Sequence, residues 1–125
     1  METVNEAATR PAAAQDAITP FCPYYHRAVE LIGRRWTGAI LRILMNGPQR
    51  FNALMAHVPG ISDRLLSERL RELESAGLVK RTVCAGPPIS AVYELTPSGR
   101  DLEPALTTLG KWADRWMPAP ERRAG

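Results

Sequence analysis

The stretch S-D-R-L-L-S-E-R-L-R-E-L-E-S-A-G at positions 62–77 carries a start signal, a face to bury, a face to present and a stop. Ser62 can accept a hydrogen bond from an unpaired N–H of a first helical turn. Gly77 can take the left-handed conformation that ends a helix. Between them, stepping about 100° per residue sorts the side chains. Leu66, Leu70 and Leu73 fall together, flanked by Leu65 and Ala76, and form a buried stripe. Arg64, Ser67, Glu68, Arg71 and Ser75 gather on the opposite side. Such an outer face fits the major groove of B-DNA, where an arginine can bind guanine through two bonds. It also fits an ordinary solvated face, with Arg64 and Glu68 as an i,i+4 ion pair. The neighbouring residues decide between the two.

Immediately before it, Phe51, Leu54, Met55 and Val58 follow the i, i+3, i+4, i+7 pattern of a short amphipathic helix. Pro59 and Gly60 supply a turn, and Ile61 can plug the core. Two short helices joined by a tight Gly-containing turn make a helix-turn-helix. Immediately after Gly77 the period changes to two: Val79, Arg81 and Val83 alternate with Lys80 and Thr82. A second alternating run covers residues 91–95. The Pro-rich link A-G-P-P-I-S between them suits a hairpin loop, so a β-hairpin wing follows the second helix.

The remaining segments frame this unit. Residues 1–19 read as a mobile tail without a core, with a fraying helix at 12–17. Pro23 at a first helical position puts Cys22 at the cap of a helix that carries Tyr24, Ala28 and Leu31 and ends at Gly33. Thr37 is a candidate cap for the next helix, over residues 38–45, which is apolar nearly all round except Arg42 and so belongs in a core. Asn46, Gly47 and Pro48 stop it. Thr96, with Pro97 behind it, opens a last helix whose stripe is Leu102, Leu106, Leu109, Ala113 and Trp116, with Trp112 adding bulk. Pro104 predicts a kink or break there. The stripe is large for so small a domain, and a partner subunit is the simplest cover; the other reading folds Trp112 and Trp116 back on their own core. The expected organisation is a tail over 1–19, a winged helix-turn-helix domain over 20–117 and a flexible tail over 118–125. The fold class is mainly α with a small β-hairpin wing.

Charge agrees with a polyanion partner. The chain of 125 residues has a formal net charge of +3. Its tail sets Glu2, Glu6 and Asp16 against Arg10, whereas residues 20–61 set Arg27, Arg34, Arg35, Arg42 and Arg50 against Glu30. No apolar run approaches the roughly 18 residues of a membrane span, and no secretory signal opens the sequence. Two cysteines make no disulfide framework, so a reducing cytoplasm is the expected compartment. Phosphate loops, nucleophile triads, paired catalytic acids and zinc motifs are all missing, so no enzymatic activity is expected. No cofactor or metal is expected either: Cys22, His26, His57 and Cys84 are the soft donors, and they show no paired ligand spacing.

In ordered combination, these motifs resemble the HxlR-type winged helix-turn-helix regulators of bacteria, a MarR-like group. The resemblance covers about residues 22–116. It rests on C-P at 22–23, A-V-E-L-I-G-R-R-W-T at 28–37, G-P-Q-R-F-N-A-L at 47–54, G-I-S-D-R-L-L-S-E-R-L-R-E-L-E-S-A-G-L-V at 60–79 and Y-E-L-T-P-S-G at 93–99. It implies a homodimer, built from the terminal helices, that binds a two-fold operator on double-stranded DNA as a repressor or activator. It implies recognition through the helix at 62–76 and an Arg50 beside the DNA backbone. It also implies, for some members, a response to oxidants or electrophiles through the cysteine matching Cys22, with a small-molecule effector conceivable. Two departures stand out. Ser90 and Ala91 replace the basic residue common near the second wing strand, and Arg34 adds a charge where a small residue is common.

The expected roles sort by contact type. Arg64, Ser67 and Arg71 are base-edge candidates. Arg50, Ser62 and Lys80 are backbone candidates, with Arg81 a weaker one. Arg69 points to the buried side, and its head is expected on either a carboxylate or a phosphate. Leu102, Leu106, Leu109, Trp112 and Trp116 are the dimer-interface candidates. Cys22 is the redox candidate, because exposed N–H groups at a helix start stabilise an anionic sulfur and His26 lies one turn on; the alternative is an unreactive cap. Cys84 lies at the wing. The competing function is a winged-helix protein-interaction module without specific DNA binding.

Overall fold

The computed structural model describes residues 20–120. The tail expected over 1–19, its fraying helix and the last residues of the C-terminal tail lie outside them. The chain divides into two compact units, one ending at Ile32 and one beginning at Gly33.

The first unit contains α1 (Pro23–Ile32). Cys22 caps it as expected: its sulfur accepts from the Tyr25 N–H at 3.5 Å, and its carbonyl accepts from the His26 N–H at 2.9 Å. His26 pairs with Glu30 at 3.3 Å one turn on. Tyr25 and Val29 are exposed, and no residue of α1 is buried.

The second unit runs α2 (Thr37–Leu44), β1 (Gln49–Arg50), α3 (Phe51–His57), α4 (Asp63–Ser75), β2 (Val79–Cys84), β3 (Ser90–Leu95), α5 (Pro97–Asp101) and α6 (Glu103–Trp116). Ile40, Leu41 and Leu44 of α2, Leu54 of α3 and Leu66, Leu70 and Leu73 of α4 are its innermost side chains. The hairpin is joined by a third strand, giving an antiparallel sheet in the order β1-β3-β2. At two residues, β1 is too short to show an alternating pattern, so its pairing with Tyr93 and Val92 has no signature in sequence.

Two caps differ from the sequence expectation. Thr37 is not the cap of α2. Trp36 holds that place in a left-handed conformation (φ 75°), and its carbonyl accepts from the Ile40 N–H. The helix therefore starts one residue early, and Thr37 sits buried inside the first turn. The C-terminal helix breaks, as Pro104 requires, but at Leu102. Leu102 ends α5 and caps α6, so that Pro104 stands in a first turn where its missing N–H costs nothing. Thr96 caps α5 as expected, accepting from the Gly99 N–H at 3.2 Å, and its hydroxyl donates to the Gly77 carbonyl. Gly99 permits this junction: a Cβ there would collide with the Leu78 carbonyl oxygen.

Candidate nucleic-acid interface

α4 begins and ends as its sequence directs. The Ser62 hydroxyl accepts from the Leu65 N–H at 3.1 Å. At the far end Gly77 takes φ 81°, the Leu78 N–H donates to the Leu73 carbonyl and the Gly77 N–H to the Glu74 carbonyl. That double closure is the Schellman arrangement, and it leaves α4 a rod of fixed length. A turn at Pro59 and Gly60, with Gly60 at φ 91°, separates it from α3. The two rods are distinct, as a helix-turn-helix requires.

The outer face of α4 presents Arg64 and Arg71 in the open, with Ser67 half-buried between them. Arg64 forms no ion pair with Glu68, and neither Arg64 nor Arg71 has an ion-pair partner among the described residues. Positions 64, 67 and 71 are spaced i, i+3, i+7, one edge of a helix.

Arg69 is different. Its side chain is about one-tenth exposed, its Nε donates to the Arg35 carbonyl at 3.0 Å, and Nη1 meets Glu72 at 3.1 Å. Of the two expected destinations for its head, it takes the carboxylate, and its place among DNA-contacting residues is withdrawn. Two positions from Arg71, it lies about 200° away around the helix and is turned into the protein. Arg34, whose role the sequence left open, reaches the same acid: its Nε lies 3.1 Å from Glu72 Oε1. That distance makes an ion pair but not a well-aligned hydrogen bond. The Arg34 and Arg35 connector is thus fastened to the inner side of α4.

The wing residues are also re-ordered. Antiparallel partners share a sheet face, and Arg81 is in register with Tyr93, Lys80 with Glu94. Arg81 lines the same hollow as Ser67 and Arg71, a space of about 390 Å³ that Glu74 also borders. Lys80 occupies the other face, 3.7 Å from Glu94. The weaker sequence candidate therefore flanks α4, and the stronger one is partnered elsewhere. A second hollow of about 520 Å³ continues past Ser67 and Arg81 to Asn52, with Arg50 on its rim. Arg50 donates to the Ser90 hydroxyl through one of its five donors, so a β3 side chain steadies a basic residue of β1. Asn52 was missed in sequence; its only signal was an exposed slot beside the apolar pattern of α3.

Among the proposed dimer contacts, Leu106 is buried within its own subunit and Leu102 is half-buried, so both serve the subunit core. Leu109, Trp112 and Trp116 are 57%, 53% and 65% exposed, so the tryptophans do not fold back to bury themselves. Among the described residues no cluster of three or more metal-ligating side chains occurs, and no helix is long and apolar enough to cross a membrane.

A second short helix displayed outward, a three-stranded sheet beside it and arginines along the shared concavity define a winged helix-turn-helix. Comparison narrows the class. The model for the HxlR-like helix-turn-helix family matches residues 31–121. The HTH-type transcriptional regulator YvaP of Bacillus subtilis (strain 168) is 44% identical over 96 residues, which cover 77% of this chain and 89% of the relative. YodB, from the same strain and also an HTH-type transcriptional regulator, is 39% identical over 95 residues, covering 76% and 85%. Among solved structures, the reduced form of YodB from B. subtilis superposes with a TM-score of 0.71 at 37% identity, covering 81% of this chain and 99% of that one. The redox regulator HypR in its oxidized form gives 0.72 at 34% identity, covering 78% and 100%. YodB has also been solved bound to quinone. The chain belongs to the HxlR-like helix-turn-helix family of DNA-binding transcriptional regulators. Membership in a family of transcriptional regulators sets aside the reading of a protein-interaction module.

Proposed function

We propose that this regulator acts in the cytoplasm as a homodimer that lays α4 of each subunit into successive major grooves of a two-fold operator. The unpartnered edge of Arg64, Ser67 and Arg71 carries this reading. In it, these three side chains address base edges, with guanine O6 and N7 the natural targets of Arg71. Arg81, Arg50 and Ser62 hold phosphates on either side, and Lys80 contributes least because Glu94 already neutralises it. Leu109, Trp112 and Trp116 meet their counterparts across the two-fold axis, burying apolar surface that a lone subunit leaves in water. The domain so formed spans residues 20–117.

The test is selection of bound duplexes from a random pool, followed by salt titration. With about four phosphates neutralised per subunit, log K against log salt should fall with a slope of roughly −7. Half-sites should repeat about one turn apart, roughly 34 Å. A protein that sediments as a monomer, or binding with no salt dependence, contradicts the proposal.

Cys22 extends it. Its sulfur caps α1 with one N–H contact, and His26 stands one turn away. A quinone is a fitting effector class: the thiolate sulfur bonds to a ring carbon, and the displaced π electrons settle on the conjugated oxygen, which takes a proton. The hydrogen of the attacked carbon leaves as a proton while the other oxygen takes one, giving an S-aryl hydroquinone with no external oxidant needed. Addition of a benzoquinone should lower operator affinity of the parent protein and leave Cys22→Ser unchanged. An equal response from both rules Cys22 out as the sensor.

A further inference from the structure

The tip of the wing carries no charge, although the wing lies beside the hollow that Ser67 of α4 borders. Residues 85–89, A-G-P-P-I, hold no ionisable side chain. Ile89 is 76% exposed and Val83 54%, the first the greatest exposure of any large apolar side chain among the described residues and the second a high value for a strand residue. These residues are not scattered. Val83, Pro88, Ile89 and Ala91 line the same 520 Å³ hollow as Arg50, Asn52, Ser67 and Arg81. Val83 and Ala91 are cross-strand partners, so their side chains share the face that carries Arg81 and Tyr93. The apolar side chains are therefore continuous with Arg81, on the side of the sheet that shares a hollow with Ser67 of α4.

From this continuity we infer that the wing tip, led by Ile89 and Pro88, is an apolar reader of the minor groove next to the major groove occupied by α4, and that it selects A·T over G·C pairs there. The inference rests on the DNA-binding mode proposed above. Its chemistry is as follows. The minor groove is narrow and walled by sugar C–H groups, which suit aliphatic side chains and proline. Its floor shows only acceptors at A·T pairs, whereas a G·C pair adds the guanine N2 amino donor. Val83, Pro88, Ile89 and Ala91 offer no side-chain acceptor. Covering that amino group with them strips its water and returns nothing, which disfavours G·C. Apolar contacts release no counterions, so this part of the affinity is insensitive to salt, unlike contacts made by the arginines that line the same hollow.

The experiment uses the full-length protein and a duplex recovered from the random-pool selection. At each wing-facing position the pair is set in turn to A·T, G·C and inosine·C, which keeps the major-groove face of G·C and lacks the minor-groove amino group. The parent protein should bind A·T and inosine·C alike and G·C about tenfold more weakly, a step of about 1.4 kcal/mol. Ile89→Ser should weaken binding to the A·T duplex about tenfold with an unchanged salt slope, and its preference among the three pairs should shrink. Ile89→Lys should steepen the slope by roughly 0.9 per new phosphate contact. Ile89 is a surface residue, so circular dichroism and sedimentation should match the parent for both variants. Equal binding of the three duplexes overturns the inference while leaving the α4 proposal intact, as does parental affinity and selectivity in Ile89→Ser. A change of sedimentation in Ile89→Ser overturns it too, because the tip is then a protein contact. Absence of salt-sensitive binding to any duplex overturns both.

Discussion

Arg69 and Arg71 sit two residues apart on one helix and meet opposite fates. Arg69 is nearly buried, spent on the Arg35 carbonyl and Glu72; Arg71 stands in the open without an ion-pair partner among the described residues. The same contrast separates the two faces of α4. Leu66, Leu70 and Leu73 are closed to solvent, while Arg64, Ser67 and Arg71 line its free edge. The comparison teaches that a cationic side chain on a recognition helix is not thereby a DNA contact. Helix phase decides whether its donors are consumed by the protein or kept for a partner. A buried guanidinium must find its acceptors inside the fold, because an unpaired buried charge is far too costly to keep.

Substitutions on the inner face should cost stability. Leu73→Ala empties a fully closed site, and denaturant unfolding should show a loss of about 2–5 kcal/mol. Operator selectivity of the protein that stays folded should not change, and a selectivity change without destabilisation would blur the division of faces. Arg69→Ala leaves Glu72 with Arg34 alone and the Arg35 carbonyl without its donor, and should cost about 1–3 kcal/mol of stability. Its salt slope for DNA should match the parent, and a slope reduced by about 1 would return Arg69 to the interface. Ser62→Ala removes the cap of α4 and should cost about 1 kcal/mol of stability, with a modest loss in affinity if the hydroxyl also meets a phosphate. The smallest effect belongs to Lys80. Its exposed pair with Glu94 contributes little, so Lys80→Ala should move stability by less than about 0.5 kcal/mol and affinity less than Arg81→Ala does.

Much of this was readable in the sequence, because local chemistry governed it. Ser62 and Thr96 cap where they were expected, Gly60 and Gly77 take positive φ where the chain must turn, and the leucine period put the correct face of α4 inside. Readings failed where distant residues decide. Nothing near Thr37 announces that Trp36 takes a left-handed conformation and starts the helix early. The two-residue β1 exists only because β3 lies beside it. Lys80 and Arg81 are equivalent until the hairpin register turns one toward α4 and the other toward Glu94. Leu102 and Leu106 share a stripe with Leu109, Trp112 and Trp116, but only the neighbouring elements of the fold show that the stripe passes from core to surface along its length.

Equilibrium binding of Arg71→Ala to a selected operator and to a random duplex, at the same salt, tests most directly whether the free edge of α4 reads sequence. Loss of about 1–3 kcal/mol on the operator with little change on the random duplex is the expected result. An equal loss on both would make Arg71 a phosphate contact and contradict base reading from that face.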